Sequence, residues 1–397
     1  MRNRFVMLGA ALVAASLAWV AGAQAQTNGS GPVCGGTAGP CNQIPVNNTA
    51  YGTTADEFLM LAPSARGTAL GGAFAALTTD VSSVYYNPAG LSQMDHSGLM
   101  ASTMDYVAGT KYTWAAVGFP FSGGSRAVGV SVANFGFSNQ PVYTVDDPNG
   151  TSGEVYTVSQ TAIALTYSQQ FSDRFAAGIN LKLINDQLGR TTGNAFAVDF
   201  GTQFHAMIGG RPIRASFVVQ NLGTNISQSG QALNVTVNRT PPTGEQDVPQ
   251  EAATAQLTTK AWSLPVMFRV GLAYDVFQTT AGRLSVLGEF TQPNNNQPGF
   301  NLGGEYQVGL GSTGFSVAGR ASVTYWPDNN IALPDSSSTS YAGFSSSVGG
   351  TSQYRASYGG GIYYRPGTSG FGVGVDYAYR NMGLLGGVSM LSVQFTW

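Results

Sequence analysis

Eleven ionisable residues recur in this chain on the polar side of alternating apolar and polar runs: Lys182, Asp199, Arg269, Asp275, Glu289, Glu305, Arg320, Arg355, Arg365, Asp376 and Arg380. Six are basic and five acidic, so together they set up no strong field of either sign. Side chains of that mix, placed on one face, form ion pairs with each other; a pore for anions would carry a basic excess at its constriction. Nothing in the spacing reads as a catalyst. H-E-x-x-H, G-x-S-x-G and a phosphate-cradling lysine motif are absent, and the histidines are His96 and His205. A histidine-rich metal site is thereby ruled out and a Ser-His hydrolase is strained. His205 shares a face with Asp199 and Gln203, where a hydrogen-bonded interior histidine is the simpler reading. Gly309-Leu310-Gly311-Ser312-Thr313-Gly314 matches G-x-G-x-x-G, but the residues after it alternate as a strand, so it reads as a hairpin turn. No catalytic residue, metal or cofactor is assigned.

Strands must position these charges. From about Gly98 the period is two: Phe175, Ala177, Ile179, Leu181 and Leu183 alternate with Arg174, Ala176, Gly178, Asn180 and Lys182. Phe196 to His205, Phe268 to Val276 and Phe315 to Tyr325 repeat the pattern. Successive strand side chains point to opposite faces, which gives each segment one apolar and one polar or small face. About 14 such segments can be marked, each near the ~9–11 residues that cross a bilayer when tilted. They span 98–108, 111–121, 125–137, 155–171, 173–189, 194–208, 211–224, 260–277, 282–293, 297–309, 312–326, 351–366, 368–381 and 387–397. The long connections, 138–154, 225–259 and 327–350, all have the parity opposite to the tight ones at 122–124, 172, 209–210, 278–281, 310–311 and 367. Short turns on one rim and long loops on the other describe an outer-membrane barrel, with both chain ends expected on the periplasmic rim.

Composition agrees. Charged residues make up 10% of the 397, far below the roughly 25% of a soluble domain. Hydrophobic residues reach 43%, yet no second apolar run approaches the ~18 residues of a membrane helix. A net charge of −2 argues against a nucleic-acid partner. Met1-Arg2-Asn3-Arg4, an apolar run from Phe5 to Ala23 and Ala23-Gln24-Ala25 read as a signal peptide over 1–25; an uncleaved anchor is the alternative. Residues 26–57 read as a flexible periplasmic lead-in, in which export favours a local disulfide between Cys34 and Cys41.

Between the lead-in and the strands lies residues 58–97, opening FLMLAPSARGTALGGAFAALTTDVSSVYYNPAGL, dense in Ala and Gly. Gly67, Gly71 and Gly72 each cost a helix about 1 kcal/mol, so a short helix mixed with turns is expected. Asn87-Pro88-Ala89-Gly90 fits a type I turn. Such a compact segment suits a plug inside the barrel. Its words Phe58-Leu59, Ala65-Arg66-Gly67, Gly71-Gly72-Ala73-Phe74, Asp80 and Tyr86 to Leu91, with Asp376 to Arg380 and the last strand, resemble the PorV/PorQ outer-membrane proteins of the FadL-type superfamily. The resemblance implies a 14-stranded antiparallel barrel with an N-terminal hatch, in which Arg66, Gly71, Gly72, Asn87, Pro88 and Gly90 are hatch elements. The final strand ending on Trp397 resembles the signal read by the outer-membrane assembly machinery. The implied function is binding of exported proteins in secretion or surface attachment. The alternative is FadL-like passage of fatty acids or other hydrophobic small molecules, which predicts a greasy pocket beneath the loops and a lateral opening in the wall.

Overall fold

A computed structural model describes residues 52–237, 253–279, 281–325, 354–366 and 371–397. The signal peptide, Cys34 and Cys41 lie outside the described residues. Alternation resolves into β1 (Gly98–Asp105), β2 (Lys111–Phe121), β3 (Arg126–Pro141), β4 (Val155–Ser172), β5 (Phe175–Leu188), β6 (Thr191–Ile208) and β7 (Arg211–Gly223). After a small hairpin, β8 (Asn234–Val237) with β9 (Ala253–Gln256), come β10 (Met267–Gln278), β11 (Gly282–Pro293), β12 (Gly299–Gly309) and β13 (Phe315–Tyr325). The last three are β14 (Tyr354–Tyr364), β15 (Gly372–Asn381) and β16 (Gly387–Thr396).

All but the hairpin pair in order, and β1 pairs with β16, giving a closed antiparallel barrel of 14 strands. Hydrogen bonding closes the edges that an open sheet would leave bare in lipid. Ile163, Leu165, Leu183, Phe200, Phe204, Leu272 and Leu302 stand exposed on the outer wall, while the intervening positions face inward and are buried. A soluble protein does not carry so continuous an apolar surface, whereas a barrel in a bilayer requires it. The strands β4 and β6 run 18 residues against 10 for β15 and β16, so one side of the wall stands taller.

Two expectations are corrected. The segment 260–277 becomes a strand only from Met267, and the stretch 225–259 holds the β8–β9 hairpin. Nor do the two described chain ends share a rim. Trp397 closes against Ser97 at the short-turn rim. At the other end the Ala55 amide donates to Ser263 O (3.0 Å), and Asn295 donates to Thr54 (2.7 Å). Ser263 and Asn295 belong to connections on the long-loop rim. Counting strand parity locates the barrel's ends but says nothing of a segment that threads the lumen from rim to rim.

That segment contains a 3-10 turn at Glu57–Met60, α1 (Ala65–Ala69), turns through Gly71 and Gly72, α2 (Ser83–Tyr86) and a 3-10 helix at Pro88–Gln93. Ser64 caps α1 by accepting from the Gly67 amide at 3.2 Å. Phe74, Tyr86, Leu70 and Leu91 are fully buried within it. Its core is thus the core of the molecule.

Candidate functional site

Short helices and turns leave many plug amides and carbonyls without partners of their own, and a crowded lumen cannot leave them unpaired. Inward polar side chains supply the bonds. Ser392 Oγ accepts from Ala65 N (2.8 Å), Ser322 Oγ donates to Ala69 O (2.9 Å), and Gln203 Nε2 donates to Ala76 O (2.8 Å). Asn180 Nδ2 donates to Val84 O (3.2 Å), Ser168 Oγ to Ala89 O (3.0 Å), and Gln220 to Tyr85 O. These neutral residues escape a search for charge, although their place on the inward side of the alternation marks them.

Charge holds the other half of the plug. Arg66 Nε and Nη2 both reach Glu305 at 2.8 Å, and Nη1 reaches Asp80 at 3.0 Å. Arg320 bridges Glu305 and Asp376 at 2.6 Å each, and Arg283 lies 3.6 Å from Glu305. Three cations and three carboxylates therefore balance in one chain that ties the plug to β11, β12, β13 and β15. Arg269 bonds Glu289 (2.8 Å) and the Gly72 carbonyl (2.6 Å), while Glu289 accepts from the Ala75 amide (3.1 Å). Lys182 meets Asp199 at 2.7 Å, and Asp199 also accepts from the Asn221 amide across a bulge in β7. Asp275 pairs with Arg214 at 2.7 Å, a partner that sequence reading missed. Arg380 was expected among these pairs, yet no carboxylate meets it among the described residues; its Nε is buried without a partner.

The Asn87–Gly90 corner turns as expected, with Gly90 N donating to Asn87 O (2.9 Å), and it continues as the 3-10 helix. Asn87 Nδ2 donates to both Ala75 O (3.0 Å) and Thr202 O (3.1 Å). The wall is hollowed to admit this corner. A Cβ at Gly201 would lie 2.2 Å from Asn87 Oδ1, and one at Gly178 would lie 2.4 Å from the Pro88 carbonyl carbon. Gly178 and Gly201 are direct cross-strand partners, so their missing side chains form one notch. Gly71, at φ +66°, and Gly72, at φ +89°, turn the chain beside Ser322 and Arg269.

Between the plug and the inner faces of β2 to β5 the lumen is apolar and aromatic. Phe58, Leu59, Val84, Tyr85, Tyr112, Trp114, Ala133, Ala162 and Ala164 line a cavity of ≈ 30 Å³, with Ser131, Asn180 and Lys182 at its polar edge. Phe58 stacks on Phe135 at 6.3 Å, and Tyr106 meets Phe135 edge-on at 5.9 Å. Below the plug the spaces are polar. One of ≈ 370 Å³ is bordered by Arg66, Asp80, Gln93, His96, Gln307, Arg365 and Gln394; another of ≈ 780 Å³ by Gln93, Asp95, Gln170, Asp173 and His205. The anticipated lateral opening is not present among the described strands, since every neighbouring pair is hydrogen-bonded.

Asp56 and Glu57, next in sequence to the pocket residues Phe58 and Leu59, are tied to neighbouring side chains. Asp56 takes a left-handed backbone (φ 57°) and accepts from Gln160 Nε2 at 3.1 Å. Burial, with Asp186 and Glu57 adding repulsion, pushes its carboxyl up to about 7. Glu57, also raised chiefly by burial, accepts from Thr54 and Asn295.

No family model matches the chain, and no curated protein matches it. Among solved structures it is similar to the CymD monoaromatic hydrocarbon channel, 11% identical over 84% of this chain and 96% of that one, TM-score 0.50. It is also similar to a Pseudomonas aeruginosa FadL homologue, 10% identical over 85% and 98% of the two chains, TM-score 0.48. The Ralstonia pickettii toluene transporter TbuX is 11% identical over 85% and 98%, TM-score 0.48. At this identity the likeness concerns the fold alone: a closed antiparallel barrel of 14 strands.

Proposed function

We propose that this chain is an outer-membrane channel for small hydrophobic molecules, gated by the plug from Glu57 to Met94. The observation that carries the reading is the cavity between Phe58, Tyr85, Tyr112 and Trp114, an apolar, aromatic space inside a barrel whose inward face also carries many charged and polar side chains. CymD, of the same fold, is by its name a hydrocarbon channel, which supports the same direction. A cavity of roughly 150 Å³ accommodates benzene. The ≈ 30 Å³ found here does not, so a guest enters only as the plug shifts. The ion pairs around Arg66 keep that shift from occurring freely, because a buried pair broken on one side costs about 3–5 kcal/mol. A ligand opens such a gate only by binding the shifted arrangement more tightly than the closed one.

Proteoliposomes holding the purified chain test the reading. Labelled toluene should enter them faster than protein-free vesicles, and Tyr112→Ala with Trp114→Ala should slow it. Equal entry with and without protein would refute it. A role in secretion, which the resemblance to PorV/PorQ implies, is the alternative if the solubilised chain carries exported protein in place of apolar small molecules.

A further inference from the structure

Arg66, Arg214, Arg269 and Arg320 each meet a carboxylate at 2.8 Å or less. Arg355 and Arg380 meet none among the described residues, although both lie on the inward side of β14 and β15. Strand register places Arg380 opposite Ser357, and puts Arg355 two residues along β14 toward the long-loop rim, opposite Thr324, which in turn opposes Asn301. Arg380 Nε, Ser357 Oγ, Thr324 Oγ1 and Asn301 Oδ1 are all buried and all lack a hydrogen-bond partner. Four orphaned atoms in one patch are unusual, since buried polar groups are almost always paired.

The patch holds the donors of two guanidiniums and two hydroxyls, beside one orphaned acceptor, Asn301 Oδ1. Water would satisfy the hydrogen bonds but would leave two neighbouring cations uncompensated, and burying an uncompensated charge is costly. An oxyanion answers the donors and the charge together, because a guanidinium fork matches the geometry of a carboxylate. Of the acidic residues near this rim, Glu57 is already engaged by Thr54 and Asn295, Asp56 by Gln160 and Asp186 by Gln228. Apolar groups adjoin the patch: Met382 lies two residues beyond Arg380, and Tyr106, Val107 and Met382 are half-buried against the core.

Resting on the channel reading, we infer that Arg355 and Arg380, with Ser357 and Thr324, bind the carboxylate of an amphiphilic guest whose ring-sized apolar body lies against the Tyr106–Met382 side of the lumen. The site selects aromatic carboxylates over neutral hydrocarbons of the same shape. It also touches the gate, because a Cβ at Gly71 of the plug would come 2.8 Å from Thr324 Oγ1.

Benzoate and toluene are matched probes for the full chain in lipid nanodiscs, with binding read by titration calorimetry. The wild-type chain should bind benzoate, and inorganic sulfate should displace benzoate more readily than toluene. In R355Q/R380Q the benzoate-to-toluene affinity ratio should fall roughly tenfold or more, the worth of one or two charge-assisted hydrogen bonds. R355K/R380K, which keeps the charge, should recover part of it. An unchanged ratio in R355Q/R380Q, or wild-type chain that binds toluene but not benzoate, overturns the anion site and leaves the channel reading intact. Arginine-dependent benzoate binding without any toluene binding or entry would sustain the site and overturn the hydrocarbon channel. Should the glutamine variant fail to show the heat-modifiable migration of a folded barrel, sulfate competition on the wild-type chain decides alone: no preference for displacing benzoate overturns the inference.

Discussion

At the scale of single residues, Glu305 joins plug to wall. It accepts from Arg66 and Arg320 while only 1% exposed, so removing either arginine leaves a carboxylate buried with half its compensation. Arg66→Met should lower the free energy of seating the plug by about 3–5 kcal/mol, seen as a lower thermal midpoint and as leakage of small polar solutes into proteoliposomes. Leakage and midpoint equal to wild type would mean that the ion-pair chain does not hold the gate. Asp56 supplies a pH dependence. Its carboxyl sits near 7 when buried and at 3.8 ordinarily, so the buried state binds the extra proton between those values. Burial is therefore fully favoured below about pH 4 and weakens as pH rises toward 7, by up to tenfold per unit. Hydrogen exchange of the Thr54–Met60 amides, corrected for intrinsic rates, should show that slope, and Asp56→Asn should flatten it. A slope unchanged in the variant would assign the effect to another group.

At the scale of elements, the notch of Gly178 and Gly201 and the Pro88–Gln93 helix are made for each other. Gly201→Val should leave the barrel able to form but should unseat the plug corner, raising trypsin cleavage at Arg66; protection equal to wild type would show that the wall can yield. This notch was not legible in the sequence, where an inward glycine in a period-two run reads merely as small. The strands themselves were legible, because Ile179, Leu181 and Leu183 against Asn180 and Lys182 leave no other arrangement in lipid. Ion pairing could be read as a property of the inward set but not as a list of partners, which depends on register: Glu305 faces Arg320 across β12 and β13. Arg214 escaped because the inward face of β7 also carries Val218, which is fully buried and blurs the alternation. Arg380 looked like the other arginines in sequence, and only the geometry shows that it stands apart. Where apolar and polar residues cease to alternate, as over 260–266, the strand boundary was misplaced by several residues.

At the scale of the whole molecule, the chain is a closed wall, taller over β3 to β6, around a plug that runs from one rim to the other. The long connections share one rim, which outer-membrane barrels turn outward. In intact cells, a membrane-impermeant maleimide should therefore label Asp147→Cys and spare Gly123→Cys; the reverse pattern would invert the orientation. Apolar space beside the plug and polar space toward the short-turn rim divide the lumen; on the channel reading proposed above, the first is the binding side and the second the release side. On the channel reading, that plug must move for a guest to pass. Ala65 and Ser392 are joined at 2.8 Å through amide and hydroxyl, so A65C/S392C, with Cys34 and Cys41 changed to serine, can be cross-linked across the plug–wall contact. Toluene entry into proteoliposomes should fall at least tenfold on oxidation and return on reduction. Entry at the same rate in the oxidised and reduced forms would contradict the account.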